Sequence, residues 1–102
     1  MAVSKLIDLR DAAALISEKD HLAVGGTMEM APVALVREII RQAKRNLRLL
    51  CAPSGAISAD MLIGAGMVKR VEFAQISLGE YGLAPHFRNA AESGTITILD
   101  HV

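Results

Sequence analysis

The chain has 102 residues, enough for one small domain, and 52% of them are hydrophobic, which excludes an intrinsically disordered protein. Eleven Lys and Arg residues balance eleven Asp and Glu residues, and zero net charge removes the electrostatic case for a nucleic-acid or membrane-surface partner. No stretch has the length of an apolar transmembrane helix, Met1 to Asp8 lack the apolar core of a signal peptide, and the single Cys51 fits a reducing compartment. We therefore expect a cytoplasmic protein.

The first half of the chain predicts a helix, a strand and a second helix. Asp8 is a candidate N-cap, and apolar residues recur at helical spacing from Leu9 to Ile16. A short apolar strand, Leu22–Val24, runs into Gly25-Gly26. Pro32 suits the first turn of a second helix that continues to Lys44, because its missing amide proton would be unpaired there.

The second half alternates in the same way and predicts a parallel sheet with helices on its faces. Ser58 is a candidate cap for the third helix, and Gly94 lies just beyond the fourth. In order, the predicted elements are a strand at Leu47–Cys51, a turn at Ala52–Gly55, a helix at Ala59–Ala65, a strand at Val68–Ile76, a loop at Ser77–Gly82, a helix at Ala84–Glu92 and a strand at Thr95–Leu99.

A sheet of about four parallel strands, poor in aromatic residues, leaves apolar surface uncovered. Only 3% of the residues are aromatic, so the core must be built from aliphatic side chains. We expect residues 1–102 to form a single α/β domain that is the N-terminal piece of something longer or depends on a partner.

Three loops follow the predicted strands, and parallel topology brings the carboxyl ends of strands to one edge of a sheet, where ligands bind. Glycines at such an edge let backbone amides approach a ligand closely. Together the loops form one candidate site, whose residues are Gly25, Gly26, Thr27, Pro53, Ser54, Gly55, Ser77, Gly79 and Glu80.

Other kinds of site are excluded by spacing. Gly25-Gly26 begins neither a dinucleotide-binding fingerprint nor a Walker loop, and the three histidines form no metal-ligand spacing with Cys or carboxylates. We expect no metal. Cys51 lies in an apolar strand and is interpreted as a buried small hydrophobe. Glu80 lies between glycines at a strand end, where it is either an exposed loop acid or a nucleophile or base.

Several runs of the chain resemble the α (A) subunit of family I coenzyme A-transferases of the glutaconate or 3-oxoacid type. The pattern Asp-x-Leu-Ile-Gly-x-Gly-x-Val-Lys that begins at Asp60 is fairly specific, and the order of the runs along the chain is more so. The matching runs are Asp20–Gly26, Pro32–Gln42, Asn46-Leu47, Asp60–Arg70 and Gly82–Arg88. The resemblance implies a three-layer α/β/α fold with a mostly parallel sheet, incomplete here at its C-terminus.

The resemblance also implies a reaction, the exchange of coenzyme A between an acyl-CoA and a free carboxylic acid. In the family, a glutamate of the partner β subunit attacks the thioester. The comparable segment here is Ala52–Gly55, which has alanine at the position of that glutamate. We therefore expect no catalytic residue on this chain. The chain would instead form one wall of the acyl or CoA pocket within a hetero-oligomer. No permanently bound cofactor is expected, since coenzyme A is a substrate.

The chain departs from the family in two ways, of which the first leaves the substrate open and the second concerns length. Thr27 and Met30-Ala31-Pro32 stand where Gly-Gly-Phe and Gly-x-Pro are often found, and family α subunits are much longer. We expect the chain alone to be inactive. The alternatives are a thioester or ring hydrolase of the same fold, a relative of sugar-phosphate isomerases or deaminases, and a non-catalytic assembly domain.

Overall fold

The computed structural model describes residues 3–26, 29–52 and 54–100 and confirms the α/β class. Four strands form one entirely parallel sheet, and two very short strands form a second parallel pair. The strands are β1 (His21–Val24), β2 (Leu47–Cys51), β3 (Ser54–Gly55), β4 (Val68–Phe73), β5 (Gln75–Ile76) and β6 (Thr97–Asp100). The helices are α1 (Leu9–Ala14), α2 (Val33–Arg41), α3 (Ile57–Gly64) and α4 (Pro85–Ser93), with a 3₁₀ turn at Gly79–Tyr81.

The main sheet has the strand order β1-β2-β4-β6, which follows the order of the chain. Parallel strands are joined by right-handed crossovers, and crossovers that all step in one direction put every helix on the same face. Burial agrees, since all four helices pack into one apolar cluster with the same side of the strands. The most deeply buried members are Val36, Ile39, Leu47, Leu49, Leu62 and Val71.

The two faces of the main sheet therefore differ, and we call them the covered face and the open face. Within β2, Leu47, Leu49 and Cys51 are buried against the helices, whereas Arg48 is exposed and Leu50 half-buried. The described residues thus supply the sheet and one helical layer. The open face consists of His21, Ala23, Arg48, Leu50, Arg70, Glu72, Thr97 and Leu99.

Helix ends follow local chemistry, with two corrections to the predictions. Asp8 caps α1 as predicted, because its side chain accepts a hydrogen bond from the Asp11 amide at 2.8 Å. Helix α2 ends at Arg41 rather than Lys44, since Ala43 adopts a left-handed φ of 53° that breaks the helix. The predicted cap Ser58 is wrong: it lies inside the first turn of α3, where its side chain is buried.

The predicted strand Val68–Ile76 is two strands in different sheets. Strand β4 ends at Phe73, Ala74 interrupts the ladder, and Gln75 and Ile76 pair with Ser54 and Gly55 instead. The fourth strand of the main sheet begins at Thr97, two positions later than predicted. Among the helices within the described ranges, none combines the length and the apolarity that crossing a membrane requires.

Helices α3 and α4 are joined by a buried polar contact. Asp60, only 5% exposed, accepts a hydrogen bond at 2.8 Å from the Phe87 amide in the first turn of α4. Four residues after Asp60, Gly64 packs against the ring of His86, and a Cβ at that position would lie 2.5 Å from the His86 Cγ. The Phe87 ring meets Phe73 edge-on, with centroids 5.1 Å apart. These contacts give Asp60 and Gly64 structural roles at the junction of α3 and α4.

Candidate functional site

The first two candidate loops begin side by side. Val24 and Cys51, the last residues of β1 and β2, are partners in the parallel ladder. The Ala52 amide continues the ladder by donating to the Val24 carbonyl at 3.4 Å. Gly25, which follows β1, and Ala52, which follows β2, therefore lie at adjacent positions of the same sheet edge, and both are exposed.

The second and third candidate loops are joined by the short pair β3 and β5. Ser54 pairs with Gln75 and Gly55 with Ile76, and the Ser77 amide donates to the Gly55 carbonyl at 3.2 Å. The topology thus brings the three loops into one row, which we call the strand-end edge. It contains Gly25, Gly26, Ala52, Ser54, Gly55 and residues 77–82. The predicted site residues Thr27 and Pro53 lie outside the described residues.

The third loop is a compact turn. The Ser77 hydroxyl accepts hydrogen bonds from the Gly79 amide at 3.2 Å and from the Gln75 side chain at 3.3 Å. The Leu78 amide donates to the Gly82 carbonyl at 2.9 Å and closes the turn. The turn presents Glu80 to solvent, and none of the ion pairs between described residues involves that carboxylate. Geometry therefore leaves Glu80 accessible to a ligand or a partner.

The glycines of the strand-end edge differ in whether the backbone angle or the surrounding space would allow a side chain. Gly26 has a left-handed φ of 82°, and a Cβ there would lie 2.7 Å from the Met30 carbonyl oxygen. A Cβ at Gly55 would lie 2.7 Å from the Cys51 Sγ. At Gly25, by contrast, a Cβ would meet no atom within 4 Å, and the backbone is not left-handed. The fold requires Gly26 and Gly55, whereas Gly25 leaves open space next to the end of β1.

Cys51 is a buried structural residue beside the strand-end edge and is not a nucleophile. It is buried at the end of β2, and burial raises the pKa of its thiol to about 11. A thiol with that pKa is almost entirely protonated at neutral pH, and the thiolate is the reactive form. The interpretation of Cys51 as a buried small hydrophobe is confirmed.

The strand-end edge carries no cation. Residues 22–36, 49–68 and 71–85, which contain every strand end and loop of the edge, include no Lys, Arg or His. Its polar groups, among the described residues, are backbone amides, the hydroxyls of Ser54, Ser77 and Tyr81, and the carboxylate of Glu80. Within the described ranges, no three His, Cys, Asp or Glu side chains come together as a metal would need. The edge can donate hydrogen bonds to a neutral carbonyl, but it offers no counter-charge to a phosphate.

One buried polar group near the edge belongs to a residue that the sequence predicted only as a helix cap. The Ser58 hydroxyl, in the first turn of α3 just beyond Gly55, is buried and has no hydrogen-bond partner among the described residues. In the sequence this serine has the pattern of a cap because it precedes an apolar helical run. Its burial follows from the earlier start of α3, since Ile57 already belongs to the helix.

Comparisons with known proteins agree on one family. The family model described as coenzyme A transferase matches residues 6–100. The α (A) subunit of 3-oxoadipate CoA-transferase from Pseudomonas knackmussii is 31% identical over 99 residues, which are 96% of this chain and 35% of that protein.

Solved structures give the same result. Glutaconate coenzyme A-transferase from Acidaminococcus fermentans matches with a TM-score of 0.85 and 35% identity, over 96% of this chain and 32% of that one. A cysteine-to-serine variant of the decarboxylase AibA/AibB matches with a TM-score of 0.85 and 34% identity, over 94% of this chain and 38% of that one.

The chain spans about a third of the length of the relatives it matches. The matches cover both the strands that build the edge and the run from Asp60 that joins α3 to α4, and they confirm the resemblance predicted from the sequence. With nearly every residue matched by the family model, the chain belongs to the coenzyme A transferase family.

Proposed function

We propose that this chain is the N-terminal portion of the α (A) subunit of a CoA-transferase that moves coenzyme A between an acyl-CoA and a free carboxylic acid. The observation that carries the proposal is the family match over residues 6–100, together with the similarity to the 3-oxoadipate CoA-transferase α (A) subunit. The proposal treats residues 1–102 as one α/β unit of a hetero-oligomer in the cytoplasm, with coenzyme A as a substrate and no permanently bound cofactor.

The nucleophile, in this proposal, is a glutamate on a partner β subunit. Support comes from Ala52, which is exposed directly after β2 at the position where the resemblance expects the acid. Alanine has no group that can attack a thioester. Glu80 lies in the next loop along the edge, where it would face the partner rather than replace its nucleophile.

The proposed reaction proceeds by covalent exchange at that glutamate. A carboxylate oxygen attacks the thioester carbonyl carbon, the carbon–sulfur bond breaks, and the CoA thiolate leaves behind an acyl-glutamyl anhydride. The thiolate then attacks the glutamyl carbonyl, which releases the first carboxylic acid and forms a glutamyl-CoA thioester. The second acid reverses these steps and leaves as the new acyl-CoA.

In this proposal the strand-end edge of this chain forms one wall of the pocket. The side chains of the edge indicate which part of acyl-CoA it contacts. Because the strand-end edge carries no cation, the phosphates of coenzyme A are bound elsewhere, and the edge faces the uncharged thioester and acyl group. The exposed end of β1 at Gly25 offers open space next to a backbone amide, which can donate a hydrogen bond to a thioester oxygen. Backbone donors suit this task because they are held in place by the sheet.

The test is an assay of the complex purified with its β subunit, using several acyl-CoA donors with and without a carboxylate acceptor. We expect formation of the new acyl-CoA to require the acceptor acid. Breakdown of acyl-CoA at the same rate without an acceptor would contradict transferase activity and identify a hydrolase. The 102-residue chain alone is the control, and we expect it to give no turnover.

Decarboxylation is a second candidate function, and one observation favours it. A solved structure named as a decarboxylase matches this chain as well as the glutaconate enzyme does, with the same TM-score of 0.85. The same assay separates the two functions, since a decarboxylase releases carbon dioxide and keeps the CoA thioester intact. Release of carbon dioxide without exchange of coenzyme A would replace the first proposal by this one.

A further inference from the structure

Three helices begin at the strand-end edge, and they differ in how their first turns are capped. Each of α2, α3 and α4 follows a loop of this edge. In none of the three does the residue before the helix provide a side-chain cap. Asp60 supplies the missing acceptor for α4, since it accepts a hydrogen bond from the Phe87 amide at 2.8 Å. Within the described ranges, α2 and α3 have no such side-chain acceptor.

The first turn of α3 therefore holds free hydrogen-bond donors. The first amides of any α-helix lack an acceptor within the helix itself. In α3 these amides belong to Ile57, Ser58 and Ala59, and no hydrogen bond joins them to another described residue. Ile57 is 48% exposed, so one side of this turn is open to solvent. A helix N-terminus also carries partial positive charge, which favours an anion.

The Ser58 hydroxyl is a second, independent indication of a ligand. The serine is 3% exposed, and its Oγ has no hydrogen-bond partner among the described residues. Buried polar atoms in native proteins are nearly always hydrogen-bonded, so this hydroxyl lacks a group that it needs. In a helix the Cα–Cβ bond tilts toward the N-terminus, which directs the Ser58 side chain to the free amides of the first turn.

Asp60 lies in the same turn of α3 but on another side of the helix. Two positions along a helix correspond to about 200° of rotation, so Ser58 and Asp60 point in different directions. The Asp60 side faces α4, where the carboxylate accepts the Phe87 amide. The Ser58 side faces α2, because the strand order places α3 between α2 and α4. A second helix N-terminus without a side-chain cap, that of α2, lies on this side.

The chemistry of these donors matches a carboxylate. Residues 49–68 contain no Lys, Arg or His, so the amides, the hydroxyl and the helix dipole are the positive groups here. They complement a single negative charge shared by two oxygens, whereas a phosphate dianion calls for a cation as well. We propose that the N-terminus of α3 binds a carboxylate group, with one oxygen accepting from the Ser58 hydroxyl and the other from a first-turn amide.

This inference deepens the proposed function and rests on it for the identity of the ligand. In a transferase, the carboxylate belongs to the acid that accepts or releases coenzyme A. The pocket wall would then hold the acid at α3 and the thioester oxygen at Gly25. The binding of a carboxylate is itself a property of the fold, and it can be measured without turnover.

The experiment titrates sodium acetate into the isotope-labelled chain at neutral pH and follows the backbone amides by NMR, with sodium chloride at equal ionic strength as the reference. We expect saturable shifts of the Ile57, Ser58 and Ala59 amides, and none at Phe87, whose amide already has an acceptor. Ser58→Ala should weaken acetate binding about tenfold, since it removes a hydrogen bond to a charged group. Inorganic phosphate, the second probe, should bind more weakly than acetate.

Ser93→Ala is the matched control, because Ser93 is exposed at the end of α4 and its hydroxyl donates to the Asn89 carbonyl. We expect this variant to bind acetate as the wild type does. Urea unfolding without acetate separates binding from a structural role, since Ser58→Ala removes a hydroxyl that has no partner and should be at least as stable as the wild type.

Four results would overturn the proposal: no shifts beyond those that chloride causes, tighter binding of phosphate than of acetate, equal acetate affinity of the two serine variants, or a loss of stability in Ser58→Ala. None of these outcomes depends on turnover, so failure here leaves the proposed function untouched. Failure of the transferase assay, in turn, would leave the carboxylate site in place and remove only the assignment of its ligand as a substrate.

Discussion

The two faces of the sheet show how neighbouring residues of one strand can serve different purposes. Leu49 and Leu50 are identical side chains one position apart in β2, and alternation of side chains sends them to opposite faces. Leu49 is fully buried under the helices, whereas Leu50 lies on the open face beside Arg48 and Glu72. The covered face holds this domain together, and the open face carries the charged side chains of Arg48 and Glu72.

This difference explains an apparent inconsistency in the composition. A parallel sheet buried on both faces reads as a continuous apolar run. Strand β2 reads Leu47-Arg48-Leu49-Leu50-Cys51, which is apolar except at Arg48. Arg48 therefore distinguishes β2 from a strand with apolar surroundings on both faces, in agreement with its exposure on the open face.

The largest expected effect is on the free energy of unfolding, and it distinguishes the covered face from the open face. Leu49→Ala removes a fully buried side chain from the covered face and should lower the free energy of unfolding by about 3 kcal/mol. Leu50→Ala should cost about 1 kcal/mol or less in the isolated chain, because its side chain is only half-buried. Urea unfolding monitored by circular dichroism gives both values. Equal losses for the two variants would mean that the faces do not differ as described.

The next effect concerns the buried contact that holds α4 against α3. Asp60→Ala removes the acceptor of the Phe87 amide and should cost about 2 kcal/mol, because a helix-terminal donor is left unpaired. Asp60→Asn keeps an oxygen at the same place and should recover most of that loss. Hydrogen exchange of the Phe87 amide checks the cause, since it should accelerate in the alanine variant and stay slow in the asparagine variant. If the asparagine variant is as unstable as the alanine variant, the charge and not the hydrogen bond is what matters.

A titratable group on the covered face gives a prediction about pH. Burial raises the pKa of the Cys51 thiol from 9.0 to about 11, so the unfolded chain releases this proton first. The contribution to stability is complete below pH 9 and is lost as the pH rises from 9 to 11. Cys51→Ala should lack this component, so the difference in unfolding free energy between the two proteins should shrink across that window. A difference that stays constant from about pH 8 to 11 would contradict a buried, protonated thiol.

The smallest effect on stability is expected at Gly25, and the contrast with Gly26 makes it informative. Gly25→Ala should change the free energy of unfolding by no more than about 0.5 kcal/mol, because its Cβ meets open space. Gly26→Ala should be clearly destabilising, since it combines a left-handed backbone with a contact of 2.7 Å to the Met30 carbonyl. In the proposed complex with a β subunit, we expect Gly25→Ala to raise the KM for acyl-CoA although the fold is intact. An unchanged KM would remove Gly25 from the proposed pocket wall.

The elements with a strong local pattern could be predicted correctly from the sequence. Strand β2 has the predicted bounds, Asp8 caps α1, and Gly94 ends α4 with a left-handed φ of 69°. These features depend on residues within a few positions of each other, so local patterns report them. The parallel order of the strands followed from their alternation with helices.

The features that the sequence did not predict depend on distant contacts. The pair β3 and β5 contains two residues in each strand, which is too short for any periodicity, and its members are about twenty positions apart in the chain. The Asp60 contact with the Phe87 amide joins residues of different helices, and Ser58 looked like a cap because the start of α3 is set by packing. In the candidate site, the order of the three loops was predictable, but the different roles of Gly25 and Gly26 required coordinates.

The measurement that tests the central claim most directly is the location of the covalent intermediate. The complex of the proposed function, an α subunit that carries this chain together with a β subunit, is incubated with acyl-CoA and no acceptor acid. It is then digested and searched by mass spectrometry for a peptide that carries CoA as a thioester. The proposed function predicts the adduct on a glutamate of the partner subunit, because the resemblance to the family puts Ala52 of this chain at the equivalent position. An adduct on Glu80, or on any other carboxylate of this chain, would contradict it.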